Sequence, residues 1–369
     1  MALRAKRVPV PVGGFRNIAV LRLSSLGDVV LTLPVVHALK QAYPGARITY
    51  WTKEEFRDAV RFDPAISHVR ELERDARRLE DLVSMSAELE ECDLIVDLHG
   101  NARTRVLGFR QRAPVLRPPS FRMRRARWVH ARWSRPAPTP HALERYARAL
   151  EPIAVRIRDL PRVAAGEEAE AWARGWLASW RPATAALAED DDPSWIKRRP
   201  PVAMCPAARH WTKRWPEPHW LALHDRLAAA GHPLMYFSLP RERELFPALA
   251  ARVDQDRRAC WCAEPLPRIA ALMSHGACAV SSDSGLMHIA AARGMRVVAM
   301  FGSTAPELGF APAGEGHIVL CRHERCQPCT LHGRAQCPRK HFRCMTGLLP
   351  EHVSDAVERL LGSAAPAPA

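Results

Sequence analysis

Apolar residues in this chain gather in short unbroken runs, each closed by a small polar loop, with amphipathic stretches between them. Residues 18–23 form the first run, apolar except for Arg22. Such a run reads as a strand buried on both faces. Ser24-Ser25-Leu26-Gly27-Asp28 follows, and Val29, Leu33, Val36 and Leu39 then take helical spacing. The same alternation predicts strands at 47–50, 93–98, 201–205, 234–238, 277–281 and 296–301. Between them it predicts helices at 54–61, 76–91, 141–151, 167–180, 217–230, 266–274 and 351–361, and one opening near 241. Strands alternating with helices specify an α/β chain with parallel, doubly wound sheets. Trp172, Trp176 and Trp180, at i, i+4 and i+8, read as a core-facing stripe of the 167–180 helix.

The alternation breaks once, at the Pro-, Ala- and charge-rich residues 186–200, which read as a linker. This gives a disordered tail at 1–15, a first domain at 16–185, a second domain at 201–350 and a terminal helix at 351–362. The second domain contains a Cys-rich segment at 321–345. Asp190, Asp191 and Asp192 lie in the linker and read as solvated acids, not as a metal site. No run of 18 uncharged apolar residues spans a bilayer, and the basic N-terminus has no apolar core of the kind a signal peptide needs. The reading is therefore a cytoplasmic chain in a reducing compartment.

A net charge of +15 points to polyanionic partners: a phosphorylated substrate, an anionic membrane or nucleic acid. The charge is uneven. Residues 98–143 hold eleven Arg and no Asp or Glu, with Trp128 and Trp133 among them. That composition suits phosphates and a membrane interface. No RNP-type or zinc-finger spacing occurs, so no nucleic-acid partner is assigned.

Candidate chemistry sits where strands end, which is where open α/β sheets bind ligands. Asp28 at a helix start has two readings, an N-cap or a general base. Ser24, Ser25, His99, Asn101 and Arg103 also follow strands of the first domain. In the second, Lys213 lies in the loop after residue 205, and Ser282-Asp283-Ser284-Gly285 runs straight into a helix. Ser and Gly at such a junction expose backbone N–H groups to an anion. Neither the Walker lysine pattern nor a GxGxxG fingerprint is present.

Four stretches combine these features: RLSSLGDVVLTLPVV from Arg22, TKRWP from Thr212, SSDSGLMHIAAARG from Ser281 and FGSTAP from Phe301. In this order they resemble glycosyltransferase family 9, the ADP-heptose:lipopolysaccharide heptosyltransferases, over residues 16–360. The resemblance implies a GT-B fold, two Rossmann-like domains facing across a cleft, with the terminal helix returning toward the N-terminal domain. It implies inverting, metal-independent transfer of heptose from ADP-heptose to a lipopolysaccharide inner-core acceptor, on the cytoplasmic face of the inner membrane and in peripheral contact with it. Asp28 then matches the base, with a pKa that closure over the diphosphate would raise. Lys213, beside Thr212, matches the group that neutralises the leaving diphosphate, helped by the amides of Ser284 and Gly285. Asp283 and His288 order that loop or touch ribose and phosphate, and either Glu242 or Glu244 takes the ribose. Ser24, Ser25, His99, Asn101 and Arg103 face the acceptor. Two alternatives share these motifs: the same chemistry on a protein or other surface glycan, and a non-catalytic nucleotide-sugar binder.

Cys326-x2-Cys329-x7-Cys337-x6-Cys344 is a separate signal in a segment poor in apolar residues. Four thiolates suit a structural, tetrahedral Zn or Fe, although the intervals are irregular for a zinc ribbon. Free thiols or two disulfides are the competing readings. The reaction itself is expected to need no cofactor.

Overall fold

The computed structural model describes residues 7–72, 86–109, 111–131, 137–180 and 199–362. Two parallel sheets carry the chain. The first comprises β1 (Asn17–Leu21), β2 (Arg47–Lys53), β3 (His68–Leu72), β4 (Leu94–Asp97) and β5 (Val115–Leu116), in the order β3-β2-β1-β4-β5. The second comprises β6 (Val202–Cys205), β7 (Leu234–Phe237), β8 (Ala259–Cys262), β9 (Cys278–Ser282), β10 (Arg296–Phe301) and β11 (Ile318–Cys321). Its order is β8-β7-β6-β9-β10-β11. Counted within each sheet, both follow the doubly wound order 3-2-1-4-5, extended by a sixth strand in the second. The fold expected from the alternation is therefore the fold present.

The central strands are the ones the apolar runs predict. β4, β6, β7 and β9 are buried along their whole length, as parallel strands covered on both faces must be. The four strands that the pattern does not predict, β3, β5, β8 and β11, are the four sheet edges. An edge strand has one neighbour and needs less apolar surface, so β3 can read His-Val-Arg-Glu-Leu and still pair. The helix expected at 54–61 is a short 3-10 segment, Glu54–Ala59, and that near 241 is the 3-10 turn Arg243–Leu245 followed by a helix from Pro247.

The chain divides into two compact units, residues 1–121 with 140–164, and residues 122–139 with 165–369. The helix Glu167–Ser179, placed by composition in the first domain, lies in the second unit, packed on the helix Leu266–Met273. Ala169, Ala173 and Leu177 form its buried face. The three tryptophans are half-buried and stack on one another, with centroids 6.3 and 5.5 Å apart. The stripe is thus a ladder beside the core, and Arg268 caps it 4.5 Å over Trp172. The linker falls, up to residue 198, outside the described residues, and so do Asp190 to Asp192. From residue 7 the expected tail is laid down: Val8 N–H donates to Pro152 O at 3.0 Å, and Phe15 is buried. The terminal helix Pro350–Gly362 buries Val353, Ala356, Val357 and Leu360 in the second unit's core. Among the described residues no helix is long and apolar enough to cross a membrane.

Candidate functional site

In a doubly wound sheet the strand order reverses between two neighbours, and the loops after those strands splay apart to leave a crevice. Here the reversals lie between β1 and β4 and between β6 and β9. The loops after these four strands carry almost every residue singled out from sequence. Each unit therefore brings one group of them together.

In the first unit α1 (Leu26–Ala42) follows β1, with Ser25 as its N-cap and Asp28 at its third position. The Asp28 Oδ2 accepts from the Ser25 backbone N–H at 3.3 Å and its hydroxyl at 2.9 Å. Its Oδ1 is held by Arg22 Nη2 at 2.7 Å and by the Tyr146 hydroxyl at 2.9 Å. Both readings of Asp28 thus meet in one side chain: Oδ2 completes a capping box, and Oδ1 is anchored by a cation. Burial pushes this carboxyl up, but the Arg22 charge and the Ser25 and Tyr146 hydrogen bonds outweigh it and bring it down to about 2. In this structure the shift opposes the raised pKa expected of the site, because Arg22, just past the end of β1, pairs with the carboxylate. Burial and the neighbouring carboxylate push the Tyr146 phenol up, so it remains a donor.

This shift gives a stability prediction. A carboxyl at about 2 in the fold, against its ordinary 3.8, contributes about 2 kcal/mol above pH 4. That contribution is lost as pH falls from 3.8 toward 2. Urea unfolding of wild type and Asp28→Asn should show a gap at pH 7 that closes across this window. A gap independent of pH would contradict the ion pair.

His99, Asn101 and Arg103 follow β4, which pairs with β1 so that Leu21 faces Asp97. Asn101 is a helix N-cap, its Oδ1 accepting from Thr104 N–H at 3.0 Å. The loop is shaped by Asp97, which the sequence reading passed over. Asp97 is fully buried, accepts from the His99 and Gly100 N–H groups and pairs with Arg117 at 2.8 Å. Arg22 Nη1 also donates to Leu98 O at 2.7 Å and so ties the two loops together. Arg22 had one sequence signal, a lone charge in an apolar run. Tyr146 had none.

In the second unit the loop after β6 ends in the 3-10 turn Trp211–Lys213. Lys213 Nζ lies 2.7 Å from Asp283 Oδ2. Thr304 Oγ1 donates to the same oxygen at 2.6 Å. Thr212 is buried and bonds Ser303, whose hydroxyl reaches Thr212 Oγ1 at 2.9 Å. Ser284 is the N-cap of the helix Gly285–Ala292. The first amides of such a helix have no intrahelical acceptor. His288 is buried in the second turn. Thr212, Lys213, Asp283, Ser284, Gly285 and His288 therefore converge on one switch point. The acids after β7 differ: Glu242 is half-buried, and burial pushes its carboxyl up against the Leu239 N–H and Arg214. Glu244 is exposed. Of the two, the structure places Glu242 against this loop system.

The Cys-rich segment braces the same loops. Gln327 Nε2 donates to Phe301 O and Thr304 O, both at 3.0 Å, and Cys329 N–H donates to Ser303 O at 3.0 Å. Arg334 N–H donates to Thr212 Oγ1 at 2.8 Å. Gly302 is required here, since a Cβ would lie 2.7 Å from Met345 Cγ and 3.0 Å from Thr212 O. The four thiols are electrostatic neighbours: burial pushes Cys344 up to about 12, and Cys329, Cys326 and Cys337 add to it. Yet among the described residues no three His, Cys, Asp or Glu side chains are arranged to hold a metal ion. In this structure Cys326, Cys329, Cys337 and Cys344, the thiols expected to hold a structural Zn or Fe, lie near one another without forming such a group. Cys344 is packed in the core, and Cys326 Sγ meets His341 Nε2 at 3.7 Å.

Comparison with known proteins agrees with this fold. Residues 83–340 match the model of glycosyltransferase family 9 (heptosyltransferase). The chain is 26% identical to lipopolysaccharide heptosyltransferase 1 of Pseudomonas aeruginosa, over 94% of this chain and 98% of that protein. Among solved structures, a family 9 glycosyl transferase from Veillonella parvula superposes with a TM-score of 0.73 at 22% identity, covering 95% of this chain and 98% of that one. The Escherichia coli heptosyltransferase WaaC with ADP superposes with a TM-score of 0.62 at 20% identity, covering 93% and 99%.

Proposed function

Since the chain belongs to glycosyltransferase family 9 and is a glycosyltransferase, we propose that it moves heptose from ADP-heptose to a lipopolysaccharide inner-core acceptor, with inversion and without a catalytic metal. The observation that carries this reading is a carboxylate fixed as an anion at the first unit's switch point, with a lysine and free helix amides at the second's. The relatives named for heptose transfer and the neighbour holding ADP support the choice of donor and acceptor.

Inversion needs a single displacement, with a base for the acceptor hydroxyl and stabilisation of the departing diphosphate. Asp28 is the base. Its four accepting positions are filled, two by Arg22 and Tyr146 on Oδ1 and two by Ser25 on Oδ2. Ser25 is exposed, so its hydroxyl is the partner an acceptor hydroxyl displaces, and Oδ2 takes the proton. A carboxylate this acidic is a weak base toward a free alcohol. It suffices if the proton leaves late, once bonding to the anomeric carbon has made the acceptor oxygen strongly acidic.

On the donor side Lys213 and the Ser284 and Gly285 amides meet the developing charge on the diphosphate. Asp283 and Thr304 hold Lys213 in place, Thr212 shapes its turn, and His288 supports the helix start. Glu242 takes the ribose. Ser24, His99, Asn101 and Arg103 form the acceptor edge. The reaction takes place on the cytoplasmic face of the inner membrane, where the lipid-linked acceptor is made.

The test is ADP release from ADP-heptose, with and without a deep-truncated lipopolysaccharide acceptor and with EDTA present. Release that depends on the acceptor and survives EDTA is expected. Absence of release with every core acceptor would overturn the assignment.

A further inference from the structure

The acceptor edge of the first unit carries a surface that the reaction does not use. The short helix Ala102–Leu107 starts just beyond β4, on the sheet edge that also carries Asp28. It buries Thr104 and Leu107. Val106 is left 41% exposed and Phe109 70% exposed. The two are joined by a turn in which Phe109 N–H donates to Val106 O at 3.0 Å. Arg105 and Arg112 flank them, both exposed, and neither enters an ion pair among the described residues.

Two features decide what such a tip binds. The first is charge: Arg105 and Arg112 are exposed cations in a stretch, residues 98–143, that contains no Asp or Glu. The second is size. One aromatic and one aliphatic side chain are too little for a stable protein interface, which needs about 800 Å² on each side. They are enough for a bilayer, where each inserted side chain and each guanidinium on a headgroup phosphate adds independently.

We propose that Val106 and Phe109, flanked by Arg105 and Arg112, dock the first unit on an anionic lipid bilayer. Docking sets the acceptor edge at the membrane surface. This rests on the lipopolysaccharide reading only for its purpose, since a lipid-anchored acceptor must be met there.

The experiment is vesicle flotation of the full chain, on phosphatidylglycerol-containing and on pure phosphatidylcholine vesicles. Wild type should bind the first and not the second. Phe109→Ser should weaken partitioning about tenfold, and Arg105→Gln and Arg112→Gln about fivefold each. Phe109→Trp should retain binding. All four side chains are exposed, so thermal unfolding should be unchanged, and turnover on a deacylated, water-soluble core acceptor should match wild type. Only transfer to acceptor embedded in vesicles should fall. Equal binding to both vesicle types, no binding by wild type, or variants that partition like wild type would each overturn the proposal. Binding to anionic vesicles without heptose transfer would leave the docking surface standing and count against the proposed reaction instead.

Discussion

Asp28→Asn should lower kcat for acceptor-dependent ADP release by about 10²–10⁴-fold, the usual worth of a positioned base. Asn keeps an acceptor oxygen for the Ser25 N–H, so α1 should stay capped and donor binding should be unchanged. The companion variant, Arg22→Gln, probes how the base is set. With its carboxyl at about 2, Asp28 is ionised throughout the working range. Wild-type kcat/KM should then show no acid limb from Asp28 above pH 4. Arg22→Gln removes the charge that lowers the pKa and leaves the burial that raises it. An acid limb should therefore enter the measurable range in this variant. The cost in stability is also larger than for an exposed pair, because a half-buried carboxylate loses its cation. Identical pH profiles for wild type and Arg22→Gln would sink the role given to Arg22. Full turnover in Asp28→Asn would sink the base.

Lys213→Ala should lower kcat/KM by about 10²–10³-fold, as loss of one preorganised donor does where charge develops. Part of that loss has a second origin. Lys213 neutralises Asp283 at 2.7 Å. Once it is removed, the carboxylate remains, held by Thr304, beside the proposed diphosphate position. Repulsion then adds to the missing attraction. The double variant Lys213→Ala/Asp283→Ala should accordingly recover about tenfold over Lys213→Ala, a coupling of about 1.4 kcal/mol. Steady-state kinetics on the four members of the cycle reads it directly. Additive losses would mean that Lys213 and Asp283 act separately.

The two-sheet fold was legible in the sequence for a physical reason, and the family through the resemblance of four motifs. A parallel strand covered on both faces must be continuously apolar, and the loop after it is the one place where the backbone exposes unpaired groups. Residues 18–28, 201–213 and 277–285 therefore announce strand, loop and ligand end together. The edge strands β3, β5, β8 and β11 were not legible, because a strand with one neighbour and a half-wet face has no compulsory pattern. The tryptophan stripe misled, since periodicity gives a common face but not what covers it, and Ala169, Ala173 and Leu177 fill the core instead. The cysteine spacing gives four thiols in reach of one another, but not their aim.

Only the tertiary structure decided how Asp28 is set. The residues that lower its pKa are Arg22 just past the end of β1, Ser25 three positions before it and Tyr146 far along the chain. The capping box with Ser25 is a local pattern, but none links Asp28 to Tyr146, 118 positions away, which is brought near only by the fold. The different surroundings of Glu242 and Glu244 are of the same kind. Two glutamates two positions apart look alike as letters, and burial beside Arg214 distinguishes Glu242.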